Sequence, residues 1–430
     1  MDLLVMFGIF FVLLMIGMPI VFVIGTLSFG YLVLVGGIPL TLIPQRVFMG
    51  IDKYPLMAIP FFILAGEIMI ESKIIKSIID FADTLVGHLR GGLAHANIVA
   101  NFIFAGISGS ALADAAGLGT VTMPMMTEKG YPKGFSAAVN AAAAIMGPIV
   151  PPSVTFVVYA LVAQNVGVTA LLMAGFVPGA LIAITLMIYC YAVALKKNFP
   201  LRERMAALKE ILIALKNAAF PLFMPIILLG GMLGGIFTAT EAAAVASGYG
   251  LFVATIVLRK LPLKSIPGVF LRTALTTSGV FWIMATANVL TWILASMNLA
   301  PKMEQIFLGI SHNPLVFLLM INILFLILGC LLESASAIII FVPILAPLAI
   351  NHYGIHPVHF GVVVVLNLMI GLLTPPVGLV LYVMCNVAKI SLEELVREVW
   401  PFIIVETTVL VMITYLPWLV LVVPRLFGLA

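Results

Sequence analysis

GPIVPPS (147–153) interrupts one long apolar stretch, and GLLTPPVG (371–378) interrupts another. A cluster of small residues precedes each: SGSALADA (108–115) the first, ESASA (333–337) the second. Ser108 and Ser334 are 226 positions apart, Pro132 and Pro357 are 225, and Pro151 and Pro375 are 224. Helix-breaking residues thus recur at matched places in two halves. In a membrane protein, paired interruptions of this kind point to a transport site.

Composition makes it a membrane protein. Hydrophobic residues are 63% of the 430, charged residues only 9%, and mean hydropathy is +1.26. A soluble domain carries about 25% charged residues. The net charge of +4 is modest, and the basic residues cluster in short loops. That pattern orients a chain in a bilayer and does not describe a nucleic-acid surface. Cys190, Cys330 and Cys385 lie far apart in apolar sequence, with no disulfide framework or metal spacing. The first residues, MDLLVMFGIFFVLLMIGMP, start acidic and lack a small-x-small cleavage site, so they read as a first span and not a removed signal peptide.

Apolar segments fall at 3–16, 18–35, 54–70, 135–165, 168–195, 218–233, 239–258, 269–297, 357–388 and 401–424. Two more, 91–128 and 314–351, read as helix, break, helix. Their breaks carry no polar loop, which fits re-entrant hairpins with tips buried in protein. The most basic stretch, 196–216, holds six Lys and Arg and belongs on the cytoplasmic side. Parity then puts Lys73, Lys76, Arg90, Lys129, Lys133, Arg259, Lys260, Lys264, Lys389 and Arg397 on the same side, and both termini outside.

The expected fold is an all-α polytopic membrane protein of two inverted repeats. Residues 1–195 form the first: scaffold helices in 1–70, an interfacial arm at 74–90, a cytoplasm-facing hairpin at 91–128, a broken helix at 135–165 and a helix at 168–195. Residues 196–217 are a basic cytoplasmic linker. Residues 218–430 form the second: scaffold helices in 218–297, an arm at 301–312, a periplasm-facing hairpin at 314–351, a broken helix at 357–388 and a helix at 401–424. GMPIVFVIGTLSFGY (17–31) and GIFTATEAAAVASGY (235–249) extend the repeat upstream of the hairpins.

The breaks carry the chemistry. Proline removes a donor and displaces the carbonyl four residues back, and a carbonyl without a partner is costly in hydrocarbon. A dehydrated Na⁺ satisfies such oxygens. The expected sodium sites are Ser108, Gly109, Gly147, Val150 and Pro151 in the first half, and Ser334, Ala335, Gly371, Thr374 and Pro375 in the second. Each tip also begins a half-helix whose N-terminus attracts an anion. Ser110, Ser153, Ser336 and Thr374 are the expected neutral hydrogen-bond partners of a carboxylate substrate, with Asp114 and Glu333 beside them. No Lys or Arg falls at the expected membrane centre. Glu67 and Glu241 read as packing or subunit-contact residues. His352, His356 and His359 do not read as a metal set, since Pro357 breaks the helix they would need. No phosphate-binding loop and no nucleophile–His–acid set occurs, so neither ATP hydrolysis nor enzyme chemistry is expected.

The strings PLMAIPFFILAGEIM (55–69), HANIVANFIFAGISGSALADAAGLGTVTMPMM (95–126), GPIVPPS, TATEAAAVA (238–246) and GLLTPPVGLVLYV (371–383) resemble the large membrane subunit of the tripartite ATP-independent periplasmic (TRAP) transporters. The resemblance covers essentially the whole chain. It implies an Na⁺-driven secondary importer of an organic acid anion, a C4-dicarboxylate, sialic acid or a related sugar acid. It implies an elevator mechanism in the bacterial inner membrane, a small four-span membrane subunit as a separate polypeptide, and a periplasmic substrate-binding protein. A stand-alone Na⁺/dicarboxylate carrier would be expected to show Ser-Asn-Thr tips. A channel would need a continuous polar pore, and none is evident.

Overall fold

The computed structural model describes residues 3–35, 38–163, 166–201 and 204–430. The last two residues of the expected 135–165 segment, and Arg202 and Glu203 of the basic linker, lie outside the described residues, as do residues 1, 2, 36 and 37 of the expected first scaffold segment. All regular structure among the described residues is helical.

The chain opens with α1 (Leu3–Met15), α2 (Ile20–Val35) and a short α3 (Leu42–Ile51). A 3-10 turn leads into α4 (Ala58–Glu71), followed by the arm α5 (Ile75–Val86). Ile75, Ile78, Ile79 and Ala82 of α5 are buried at helical spacing, while Lys76 and Asp80 face outward. Next come α6 (Gly92–Ser108), α7 (Ala111–Glu128), α8 (Lys133–Ala144), α9 (Val154–Ala163), α10 (Val168–Ala174) and α11 (Phe176–Lys196).

The second half holds α12 (Leu208–Leu233), α13 (Ala239–Phe252) running into a π turn, α14 (Ile266–Ser296), α15 (Leu299–Ile310), α16 (Pro314–Leu331), α17 (Ser334–Asn351), α18 (Pro357–Gly371), α19 (Leu379–Ala388), α20 (Leu392–Tyr415) and α21 (Pro417–Leu426). Seven helical stretches among the described residues are long and apolar enough to cross a membrane, or eight if the bent α20–α21 pair is one span. The chain is a multi-pass membrane protein.

Three boundaries depart from expectation. The linker is partly helical: α12 starts at Leu208, because LKEILIALK is made of good helix formers. Its charged first turns extend beyond the apolar run at 218–233. The last helix starts at Leu392, not 401, where the Ser391 hydroxyl accepts from the Glu394 N–H at 3.2 Å. It then bends by 68° at Leu416, the residue before Pro417, which proline steers away from helical geometry. The short helix α3 was not expected.

Packing between the halves is reciprocal. Helix α7 packs on α19, and α9 packs on α17. Helix α4 packs on α13, and α14 packs on α2, with α4 and α14 also touching each other. Pairs of this form place the tip-bearing helix of each half against the second segment of the other half's broken helix.

Candidate functional site

The first tip forms because α6 must stop. Gly109 takes φ +63°, a conformation that disfavours side chains. Ser110 then caps α7, its hydroxyl accepting from the Ala113 N–H at 3.4 Å. A Cβ on Gly109 would lie 2.8 Å from the Pro152 carbonyl oxygen and 3.3 Å from the Val154 nitrogen. The tip therefore sits directly on the first break. Gly66 of α4 gives it room from behind, since a Cβ there would meet the Ser108 Cα at 3.3 Å.

Asp114 joins the two pieces. Its Oδ1 accepts from the Ser108 hydroxyl. Its Oδ2 is buried without a hydrogen-bond partner. A Cβ on Gly147 would meet that same Oδ2 at 2.5 Å, so the free oxygen points at the backbone of the break. Ser108 and Asp114 are both buried, as are Gly147, Val150 and Pro151. The carbonyls of Gly147, Val150 and Pro151 accept no hydrogen bond among the described residues. The Pro151–Pro152 and Pro375–Pro376 bonds are both cis.

The second tip is built differently. Glu333 caps α17, its carboxylate accepting from the Ser336 N–H at 3.2 Å and the Ser336 hydroxyl at 3.4 Å. Helices α16 and α18 meet backbone to backbone at Gly329 and Gly371. Thr374 donates to the Ile370 carbonyl at 2.9 Å, while the carbonyls of Leu373, Thr374 and Pro375 accept no hydrogen bond among the described residues. Ser334 and Ala335 are buried, whereas Thr374 and Pro375 are half-buried. A cavity of about 370 Å³ reaches this region, lined by Glu333, Val377 and Gly378 together with the α1–α2 turn at Gly17 and Met18. None of Ser334, Ala335, Gly371, Thr374 and Pro375 lines that cavity.

The expected hydroxyl partners have local bonds. Ser153 donates to the Pro148 carbonyl and accepts from the Phe156 N–H at 3.1 Å, capping α9. Glu241 closes a capping box with Thr238 at the start of α13. Glu67 and Glu71 both bind Arg272 of α14, at 2.8 and 2.7 Å. The three histidines act separately: His352 pairs with Glu304 at 3.0 Å, His356 caps α18, and His359 meets the Ile413 carbonyl at 2.9 Å. No group of three metal-ligating side chains occurs among the described residues.

Several buried polar groups were not anticipated. Asn322 of α16, Asn367 of α18 and Thr414 of α20 form one hydrogen-bonded set, with bonds of 2.8 and 3.0 Å. Thr122 of α7 donates to Asn140 of α8 at 2.6 Å. Glu406 of α20 is fully buried, with neither oxygen partnered. The signal for Glu406 was present, an acid inside WPFIIVETTVLV (400–411). Intramembrane acids are functional candidates by default.

Many helices, paired interruptions and a buried polar centre define a polytopic helical transporter. Comparison with known proteins makes this specific. Residues 7–419 match the model of the tripartite ATP-independent periplasmic transporter, DctM component. The chain is 41% identical over 415 residues to the sialic acid TRAP transporter large permease protein SiaM of Vibrio cholerae, covering 96% of each. It is 35% identical to the C4-dicarboxylate large permease protein DctM of Rhodobacter capsulatus, covering all of both. It is 40% identical to the isethionate permease protein DctMQ of Oleidesulfovibrio alaskensis, covering 96% of this chain and 65% of that one. The crystal structure of the Alcanivorax borkumensis YdaH transporter matches 88% of each chain with a TM-score of 0.65 at 14% identity, a likeness of fold alone. The chain belongs to the family of TRAP transporter large permeases, which are transporter subunits and not enzymes.

Proposed function

We propose that this chain imports an organic acid anion across the bacterial inner membrane, driven by Na⁺. The observation that carries the reading is the free, buried Asp114 Oδ2 aimed at Gly147. Beside it stand the Ser108 hydroxyl and the unbonded carbonyls of the break. Together these form the oxygen-rich, unwound setting in which transporters hold Na⁺. Ser334, Ala335, Gly371, Thr374 and Pro375 take the corresponding role in the second half. The N-termini of α7 and α17, with Ser110, Ser153, Glu333 and Ser336 nearby, face the substrate.

The reciprocal helix pairing supports two inverted repeats, with α6–α7 and α16–α17 as re-entrant hairpins. In the elevator reading, hairpins and broken helices move against α1–α4 and α12–α14. The relatives' named substrates are sialic acid, C4-dicarboxylates, 2,3-diketo-L-gulonate and isethionate. All are acid anions, and this chain's substrate belongs to that class. A periplasmic binding protein delivers it, and a small four-span membrane subunit completes the complex. The basic linker faces the cytoplasm and both termini face the periplasm.

Ligand-linked stability tests the ion site. Anything that binds only the folded protein raises its melting temperature. The purified chain should melt higher in NaCl than in KCl at equal ionic strength, and Asp114→Asn should lose part of that difference. An equal shift in both salts, or an undiminished Na⁺ shift in the variant, contradicts the site.

A further inference from the structure

Away from the tips and breaks, a cavity of about 1010 Å³ opens between α5, the first turns of α12 and the segment after α13. Lys73 and Lys76 at the start of the arm, Lys216 of α12 and Lys260 after α13 converge on it. Among the described residues, none of the four has a carboxylate within ion-pair distance. Two acids also line it. Asp80 lies near Lys76 and Lys260 and offsets part of their charge. Glu210 already binds Arg204 at 2.9 Å and the Ala207 N–H at 3.0 Å, so four lysines still outnumber two acids. The cavity therefore carries excess positive charge.

Apolar side chains line it too, on the same α12 face as Lys216. Ile213 and Phe220 of α12 line it and are 52% and 36% exposed. Helix α12 is also the least covered of the long apolar helices, with only 28% of its most apolar window buried. The cavity thus combines a cluster of lysines with the exposed apolar surface of α12. A small soluble anion gains nothing from the apolar side chains. A phospholipid uses both parts, with its phosphate among the lysines and an acyl chain along α12.

We propose that this cavity binds an anionic phospholipid and that the lipid braces the arm. The placement gives the lipid a mechanical role, since α5 packs on both α12 and the hairpin helix α6. This inference needs the membrane placement of the chain but not its Na⁺ coupling, so the two fail separately.

The test uses the purified full chain stripped of lipid in detergent. It is titrated with short-chain phosphatidylglycerol, phosphatidylcholine or glycerol phosphate, and binding is read by native mass spectrometry and melting temperature. Phosphatidylglycerol should bind and stabilise, and the other two should do neither at the same concentration. Lys76→Gln with Lys216→Gln should weaken phosphatidylglycerol binding by about fivefold per lysine, while Lys133→Gln with Lys264→Gln, outside the cavity, should not. In the wild-type chain, phosphatidylglycerol should also shield Lys73, Lys76, Lys216 and Lys260 from acetylation, which serves if the double variant folds poorly. Equal binding of phosphatidylcholine, binding of glycerol phosphate as tight as the lipid, or equal weakening by the control pair overturns the proposal. So does shielding of these lysines by an added protein partner but not by lipid.

Discussion

Gly109 and Gly130 both take positive φ, yet they stand in different surroundings. A Cβ at Gly130 meets nothing within 4 Å, whereas one at Gly109 strikes the Pro152 carbonyl. Gly130→Ala should cost about 1–2 kcal/mol from backbone strain alone. Gly109→Ala should cost about 1–3 kcal/mol more, from forced overpacking. The gap in melting temperature between the two measures the tip–break contact, and equal losses would show that the contact carries no energy. Gly147→Ala pushes on Asp114 Oδ2 and should reduce Na⁺ stabilisation more than thermal stability in Na⁺-free buffer. Sequence revealed the tips and breaks because glycine, proline and serine inside apolar runs stand out. It did not reveal that Asp114 leaves one oxygen free, because that depends on how two distant segments meet. Nor did it show that Ser153 caps α9, since the same hydroxyl could equally have faced a ligand.

Among elements, α4 and α14 are tied by one cation and two acids. Glu67 and Glu71 are mostly covered, while Arg272 is about half exposed. Exposed pairs contribute little, about 0–1 kcal/mol each. Removing only the cation leaves two carboxylates facing each other with nothing between them. Arg272→Gln should therefore lower the melting temperature, and the triple variant Glu67→Gln, Glu71→Gln, Arg272→Gln should recover most of the loss. A triple variant no better than the single one would show that Arg272 acts through packing of its alkyl stem. Helix existence was legible from apolar length, but helix ends were not. Helices α12 and α20 both begin in charged, amphipathic sequence outside the hydrocarbon-length runs. Hydropathy locates what crosses lipid, while capping at Ser391 and proline at 417 decide where the helices start and bend.

At the scale of the whole molecule, the two halves exchange contacts in matched pairs, α7 with α19 and α9 with α17. The spacing of about 225 residues pointed to two matched halves, but which helix of one half meets which helix of the other follows only from the assembled fold. The arrangement makes each tip depend on the opposite half, so damage at either tip should stop transport altogether. Ser108→Leu and Ser334→Leu should each abolish Na⁺-dependent uptake while leaving assembly with the small membrane subunit intact. Normal uptake in either variant would remove that tip from the site. The most direct measurement of the central claim is substrate uptake into proteoliposomes holding this chain with its small subunit and binding protein. An inward Na⁺ gradient should drive accumulation that disappears when K⁺ replaces Na⁺. Uptake that continues unchanged in K⁺ alone would contradict the account.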